Sequence, residues 1–387
     1  MTPGVVISAK GAARWRQGHP WIYRSDVVTT ERLPAGLVRV TDRAKRFLGQ
    51  ALFSPASEIR LRLLTREEGP VDRDWWRRRL EEALTRRVAL APDATAYRVV
   101  HAEGDGLPSL MVDRYGDVVV AQILSAGLEV LRPQILEAIQ DVLHPQGILL
   151  RNDASVRRHE GLPLEIVEAW GAVPETLEVR EGAVHYLVSP RSGQKTGAFL
   201  DQRENRALVG ALARGVGLDL FTYQGLFALH LAGGCSSVLA VDSSAPALER
   251  AAENARLNGR SNIEWREANA FDLLRALERE GRRFDTIVLD PPAFAKQKQN
   301  VARALAGYKE INLRALRLLR PGGVLYTASC SFHVARDAFL EMLAEAARDV
   351  GRRVITERVT GQSSDHPELL TVPETGYLKG AVLRAAD

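Results

Sequence analysis

The stretch GVGLDLFTYQGLFALHLAGGCSSVLAVDSS, residues 215–244, decides how this chain folds. It opens on a short apolar run, GVGLDLF, turns at FTYQG into a helical stretch, and closes on a second apolar run, SVLAVD. Further on, NIEWREA (262–268), FDTIVLD (284–290) and GGVLYTAS (322–329) repeat the strand pattern. APALERAAENARLN (245–258) and ALAGYKEINLRALRLL (304–319) read as helices between them. Strands alternating with helices of this length imply right-handed crossovers and a parallel, doubly wound sheet over residues 195–387. Such sheets bind ligands at the carboxyl ends of their strands.

Upstream the pattern differs. Within residues 1–70, GLVRVTD, FLGQALF and EIRLRLLT are short runs rich in Val, Leu, Ile and Phe, bounded by Gly, Pro or Asp, and they predict a small β-rich domain. GPVDRDWW punctuates the chain, and Trp76, Leu80, Ala83 and Leu84 then recur at helical spacing in DWWRRRLEEALTRRVAL. This connecting helix leads an α+β middle domain over 71–194, with LMVDRYGDVVVAQIL, EVLRPQILEAIQDVL and GILLRND as strand pair, helix and strand, and the hairpin LEVREGAVHYLVS behind them.

The 387 residues are 45% hydrophobic and 26% charged, the balance of an ordinary folded protein. No apolar run is long enough to span a membrane and the first residues lack a secretory pattern, so a cytoplasmic protein without membrane contact is expected. Cys235 and Cys330 are the two cysteines, expected as reduced thiols. Residues 1–90 carry 18 basic and 10 acidic residues against 34 and 38 in the remainder, so the net +4 hides a basic N-terminal part. Such an excess is the electrostatic footprint of a nucleic-acid-binding module, and equally that of a solvated surface. There RWRQGHPWIYRSDV interleaves Arg14, Arg16 and Arg24 with Trp15, His19, Trp21 and Tyr23, a pairing suited to stacking on unpaired bases. Trp21 and Tyr23 read first as core residues of the small domain.

The strand ends carry the candidate chemistry. Asp219, Phe221, Tyr223 and Gly225 fall on the first turn, and Asp242 ends the second strand, where a carboxylate can accept from both ribose hydroxyls. Phe221 and Tyr223 fill two of the three glycine positions that a dinucleotide fingerprint would need, so a pyrophosphate fits poorly. A nucleoside without phosphate, such as S-adenosylmethionine, needs the acid and one tight turn only. Asn269 and Ala270 follow the third strand at the height of an adenine ring. Asp290 precedes two prolines that stiffen its loop. The fifth strand delivers Cys330 to the same mouth.

In order and spacing, TGAFLDQREN, LDPPAF, GYKEINL, SCS, and DHP followed by YLKG resemble the bacterial large-subunit ribosomal RNA cytosine-C5 methyltransferases that carry an N-terminal PUA domain. The resemblance extends to GHPWIY and covers essentially the whole chain. It implies a Rossmann-like doubly wound α/β methyltransferase domain (195–387) preceded by a PUA domain (1–70) and the α+β middle domain. It also implies S-adenosylmethionine as cofactor, with Phe199 and Gln202 joining Asp219, Phe221, Tyr223, Gly225, Asp242, Asn269, Ala270 and Asp290 around it. Arg14, Arg16, Trp21 and Arg24 would contact RNA, and no metal is implied. The partner expected is large-subunit ribosomal RNA or its assembly intermediate, with a homodimer left open. Leu226 departs from the family at a position that is often Gly.

Cytosine C5 is a weak nucleophile until a thiolate adds to C6, and Cys330 is the expected nucleophile. Asp290 would stabilise charge developing on the ring. Pro292 occupies the position where another RNA cytosine-C5 type places a second cysteine, which leaves removal of the C5 proton without an owner. An NPPY loop for an exocyclic amine is absent. Methylation of uracil C5 or a guanine amino group, and a non-catalytic RNA-binding protein with a vestigial cofactor pocket, are the competing readings. Cys235 reads as a small packed hydrophobe.

Overall fold

The computed structural model describes residues 2–90, 92–193, 195–295 and 297–386, the side chains of Leu90 and Lys298 excepted. The chain packs as two units: Met1–Val179, Val188–Leu200 and Ser364–Gly376 form one, and Arg180–Leu187, Asp201–Ser363 and Tyr377–Asp387 the other.

The first unit begins with β1 (Gly4–Val6), α1 (Ala9–Arg16), β2 (Trp21–Tyr23), β3 (Gly36–Thr41), β4 (Phe47–Phe53) and β5 (Ile59–Thr65). The strands form one sheet in the order β1-β3-β4-β5-β2 around Val5, Ile7, Val38, Val40, Ala51 and Leu61. Side chains alternate along a strand, so β2 sends Ile22 into this core and leaves Trp21 and Tyr23 half-buried. The buried aromatic is instead Trp15 on α1, whose Nε1 donates to the Pro20 carbonyl at 3.0 Å.

Helix α2 (Arg73–Leu90) then buries Trp76, Leu80 and Ala83. It covers a second sheet made from β6 (Ala96–His101), β7 (Leu110–Tyr115), β8 (Val118–Ile123), β9 (Gly147–Asn152) and β10 (Glu165–Gly171), in the order β10-β9-β8-β7-β6. Three helices intervene: α3 (Ala126–Glu129) and α4 (Arg132–Leu143) before β9, and α5 (Val156–His159) after it. Residue 70, the boundary expected from sequence, separates two sheets but not two units. Leu52 and Leu64 of the first sheet share an apolar cluster with Trp75, Trp76 and Val99, and Arg62 pairs with Glu160 at 2.9 Å out of solvent. Residues 364–376 join this unit through buried charge. The Asp365 carboxylate accepts from the Arg98 amide at 2.9 Å, and its carbonyl accepts from Arg87, which also grips both oxygens of Asp105 at 2.6 Å.

A ribbon of β11 (Leu177–Glu181) and β12 (Val184–Val188) precedes α6 (Arg203–Leu212). The second unit continues as β13 (Gly215–Leu220), α7 (Leu226–Leu231), β14 (Cys235–Asp242), α8 (Ala245–Leu257), β15 (Ile263–Glu267), α9 (Ala270–Arg279) and β16 (Phe284–Leu289). It ends with α10 (Val301–Leu318), β17 (Leu319–Ser329), α11 (Arg336–Asp349), β18 (Val354–Thr360) and β19 (Lys379–Ala385). The sheet order is β15-β14-β13-β16-β17-β19-β18; the first five strands are parallel and β19 runs antiparallel to both neighbours. This is the doubly wound α/β sheet expected from the alternation. Its apolar strands are covered on both faces: Leu218, Leu220, Ile287, Leu289 and Leu325 pack with Leu274, Tyr308 and Phe339 of α9, α10 and α11, and Val238, Ala240, Val288 and Val324 with Val209 of α6 and Phe227 and Leu231 of α7. Strand order reverses between β13 and β16, which opens a crevice at their carboxyl ends. Among the described residues no helix is long and apolar enough to cross a membrane.

Candidate active site

Asp219 lies on β13 opposite Ala240 of β14 and Val288 of β16, at the switch point. It is fully buried, and its Oδ2 accepts from Thr222 Oγ1 at 2.5 Å while Oδ1 has no hydrogen-bond partner. Burial pushes its carboxyl up to about 7, and the negative charges of Asp290 and Asp242 act in the same direction against the Thr222 hydrogen bond.

The turn after β13 is tightly wound. Phe221, Tyr223 and Gly225 all have positive φ, 65°, 49° and 81°. For the two aromatics this costs about 1–2 kcal/mol each, since Cβ crowds the carbonyl in that region. Two contacts hold the turn: the Thr222 amide donates to the Val241 carbonyl at 3.0 Å, and the Tyr223 amide to Asp242 Oδ2 at 2.8 Å. Gly225 is required on two grounds, its φ and its surroundings, because a Cβ there would lie 2.7 Å from the Trp265 ring. Leu226, where a glycine is frequent in the resembling family, starts α7 and is buried, so the departure is accommodated by packing.

Asp242 Oδ1 accepts from the Ser244 amide at 3.0 Å, so each oxygen of this carboxylate already holds one backbone donor. Each retains lone-pair capacity for a hydroxyl. Asn269 spends its side-chain oxygen as the N-cap of α9, accepting from the amides of Phe271 and Asp272, while Ala270 is buried. What remains for a ring is the Asn269 side-chain N–H donors and the backbone and shape around Ala270.

Asp290 is half-buried, and its Oδ1 accepts from Gln202 Nε2 at 2.8 Å. Gln202 is in turn fixed by Asn205 Nδ2 (2.6 Å) and the Tyr326 hydroxyl (3.0 Å), both onto its Oε1. The sequence reading missed this positioning chain, although Gln202 stood in a quoted motif. The loop after Asp290 is stitched to the strand that carries Cys330: the Ala295 amide donates to Ser331 Oγ at 3.2 Å, and Ser331 Oγ meets the Tyr308 hydroxyl at 2.9 Å. Phe294 stacks on Tyr308 with centroids 4.5 Å apart. Cys330 is partly exposed, with Sγ 4.0 Å from the Pro291 carbonyl, so the thiol and the loop of Asp290 do meet at one mouth. Cys235, by contrast, is buried in an apolar cluster with Val209 and Val238, and burial raises its thiol pKa.

The structure thus gathers Gln202, Asp219, Phe221, Tyr223, Gly225, Asp242, Asn269, Ala270, Asp290 and Cys330 in one unit along the ends of β13 to β17. Phe199 falls in the other unit, where Lys195 Nζ lies 4.6 Å over its ring. In the N-terminal part, Arg14 of α1 pairs with Asp26 at 3.4 Å and covers the Tyr23 ring at 4.6 Å, Arg16 of the same helix donates to the Ala12 carbonyl, and Trp21 Nε1 of β2 donates to Glu103 at 2.8 Å. Arg24 is exposed and lies 3.9 Å from an exposed Glu58. Among the described residues no cluster of His, Cys, Asp or Glu could hold a metal ion.

Comparison with known proteins agrees with this geometry. Residues 5–66 match a PUA-like domain and residues 135–384 the S-adenosylmethionine-dependent methyltransferase model. The chain is 40% identical over 376 residues to the ribosomal RNA large subunit methyltransferase I of Shewanella amazonensis, covering 95% of each, and 38% identical over 390 residues to that of Erwinia tasmaniensis, covering 98% of each. A candidate methyltransferase solved with SAH shares the fold at TM-score 0.85 and 20% identity, over 99% of this chain and 100% of that one. A candidate SAM-dependent methyltransferase from Streptococcus mutans does so at 0.82 and 20%, with the same coverage.

Proposed function

Given that the chain belongs to the S-adenosylmethionine-dependent methyltransferases and carries their fold behind a PUA-like domain, we propose that it methylates C5 of a cytosine in large-subunit ribosomal RNA through a covalent bond from Cys330. The observation that carries this reading is the partly exposed Cys330 thiol against the stiff Asp290 loop, where the sheet's ligand crevice opens. The residues suit the cofactor: Asp242 has acceptors left for ribose hydroxyls, the 221–225 turn offers no phosphate cradle, and buried Asp219 with its unsatisfied oxygen favours a nearby positive charge. Bound there, S-adenosylmethionine supplies an electrophilic methyl group on a sulfonium.

The chain's own residues then do the following. Cys330 Sγ gives its electron pair to C6 of the cytosine, and the C5–C6 π electrons become available at C5 to take the methyl group. Asp290, held by Gln202, faces the polar edge of the base and, by sharing a proton with N3, offsets the negative charge that develops on the ring. Loss of the C5 proton returns an electron pair to the ring, the Sγ–C6 bond breaks, and the thiolate is regenerated. Because the ring face must be reached, the target cytosine is unpaired or leaves its stack. The PUA-like domain, with the basic excess of residues 1–90, supplies the affinity for the RNA backbone, and Arg14, Arg16, Trp21 and Arg24 are the proposed contacts.

The test uses RNA in which the cytosine C5 carries fluorine. With no C5 proton to lose, the adduct should persist through denaturation and map to Cys330. Cys330→Ala should abolish both adduct and turnover while S-adenosylmethionine binding stays near normal. Methylation by Cys330→Ala at a comparable rate would overturn the covalent route, and identification of the product base separates cytosine C5 from uracil C5 or a guanine amino group.

A further inference from the structure

Strand β19 pairs with β17 in a register that sets Lys379 opposite Ser329, the residue before Cys330. From there the Lys379 ammonium donates to the Ser331 carbonyl at 2.6 Å and to the Tyr377 carbonyl at 2.8 Å, which brings Nζ against the turn that presents the thiol. The residue is only 4% exposed. A buried ammonium is costly unless an anion faces it. Among the described residues no carboxylate lies within ion-pair distance of this one, and the carbonyl it holds belongs to the residue next to Cys330. Two carbonyls use two of its three N–H donors, so one remains for a neighbouring thiolate.

We infer that Lys379 is the positioning residue of the nucleophile: its ammonium is the counter-ion of the Cys330 thiolate, and the same group clamps the turn of residues 329–331. The inference rests on the reading of Cys330 as nucleophile and adds what holds it ionised. On ionisation the thiol proton passes to solvent and no other bond changes. Among the described residues, Tyr308, Asp290 and Arg336 also border this corner. Tyr308 from α10 is kept neutral by burial, Asp290 at the end of β16 is an acid, and the Arg336 guanidinium from α11 acts on Lys379 itself. Burial draws the Lys379 pKa down to about 8 against the upward pull of Cys330, with Arg336 adding to the fall, so the ammonium is the main form at neutral pH and yields above it.

The test is the pH dependence of Cys330 alkylation by iodoacetamide in the full-length protein, with the modified cysteine identified by peptide mapping. Lys379→Met should move the profile to higher pH and slow alkylation at pH 7 by about tenfold for each unit of that displacement. Lys379→Arg should restore much of the wild-type profile. A purely structural clamp would leave the profile unmoved, and an unchanged profile in folded Lys379→Met overturns the inference. Should Lys379→Met not fold, the wild type still decides. An adjacent ammonium makes the anionic reagent iodoacetate react faster at Cys330, relative to iodoacetamide, than it does at a free thiol; an equal ratio refutes the counter-ion. A shifted thiol profile together with full methylation by Cys330→Ala would sink the nucleophile reading and leave this inference standing. An unshifted profile with an inactive Cys330→Ala would do the reverse.

Discussion

Replacing Asp219 by Asn should remove from the apoprotein's stability a pH response that runs opposite to ordinary acid unfolding. The wild-type carboxyl is fully buried, with Oδ1 unsatisfied, and burial lifts its pKa from 3.8 to about 7. Between those values the folded chain holds a proton that the unfolded chain has released. The group's stabilising contribution is thus complete below pH 3.8 and lost as pH rises through about 7, at about 1.4 kcal/mol per pH unit in between. Integrated from pH 5 to pH 8, the loss is about 3 kcal/mol. Asn cannot titrate, so the variant should gain on wild type by that amount over the interval, which for a unit of this size is about 5–10 °C in Tm. Differential scanning calorimetry of both proteins at pH 5, 6, 7 and 8 without cofactor measures it, and taking the difference at each pH cancels every other titrating group. A cation bound at this end of the sheet favours the carboxylate, so saturating S-adenosylmethionine should shrink the pH effect. A Tm gap that stays constant from pH 5 to 8 would refute the buried, proton-holding acid.

Two further outcomes are expected. Asp242→Ala should weaken S-adenosylmethionine binding by about 1–3 kcal/mol in calorimetry, the range for a lost charge-assisted hydrogen bond. Asp242→Asn should fall between, since one oxygen still accepts from the Tyr223 or Ser244 amide; undiminished affinity in both would remove Asp242 from the site. Glu181 is buried, and although burial alone would raise its pKa, Arg206 at 2.5 Å and then His230 hold it down to about 2. Its stabilisation is therefore present above pH 4.5 and lost as pH falls through about 2. Glu181→Gln leaves a buried guanidinium unpaired and should cost about 3–5 kcal/mol at pH 7, read as a Tm loss that narrows toward acid pH; a surface-like change under 0.5 kcal/mol would contradict the pairing.

Much of the catalytic unit was legible because its signals are local. Runs such as FDTIVLD and SVLAVD declare buried parallel strands by their apolar continuity, and the acids at their ends follow from chain order alone. The boundary near residue 70 was legible as a change of sheet, yet whether two sheets form one unit depends on which apolar faces meet. Leu52, Leu64 and Trp76 reveal that only once folded. The same limit applies to polar partners far apart in sequence. Gln202 supports Asp290 across 88 residues, and Lys379 reaches Ser331 across 48, with no periodicity to announce either contact. Asn254 and Asn258 stand four apart on α8 and read as ordinary helix-surface residues, but their side-chain oxygens accept from the amides of Leu187 and His185 and so satisfy backbone donors of β12.

The motifs that had no chemistry of their own in the sequence gain one through the loop they share. GYKEINL contributes Tyr308, SCS contributes Ser331, and DPPAF leads into Ala295; these three meet in two hydrogen bonds, with Phe294 stacked on the Tyr308 ring. Two prolines stiffen the start of that loop, and this network fixes its end, so the backbone that carries Asp290 and Cys330 is held from both sides. A nucleophile and an acid must keep their separation while a base is inserted between them and then withdrawn. On the reading of Cys330 as nucleophile, that constancy comes from Tyr308 and Ser331, both buried behind the loop and bonded to one another and to its end.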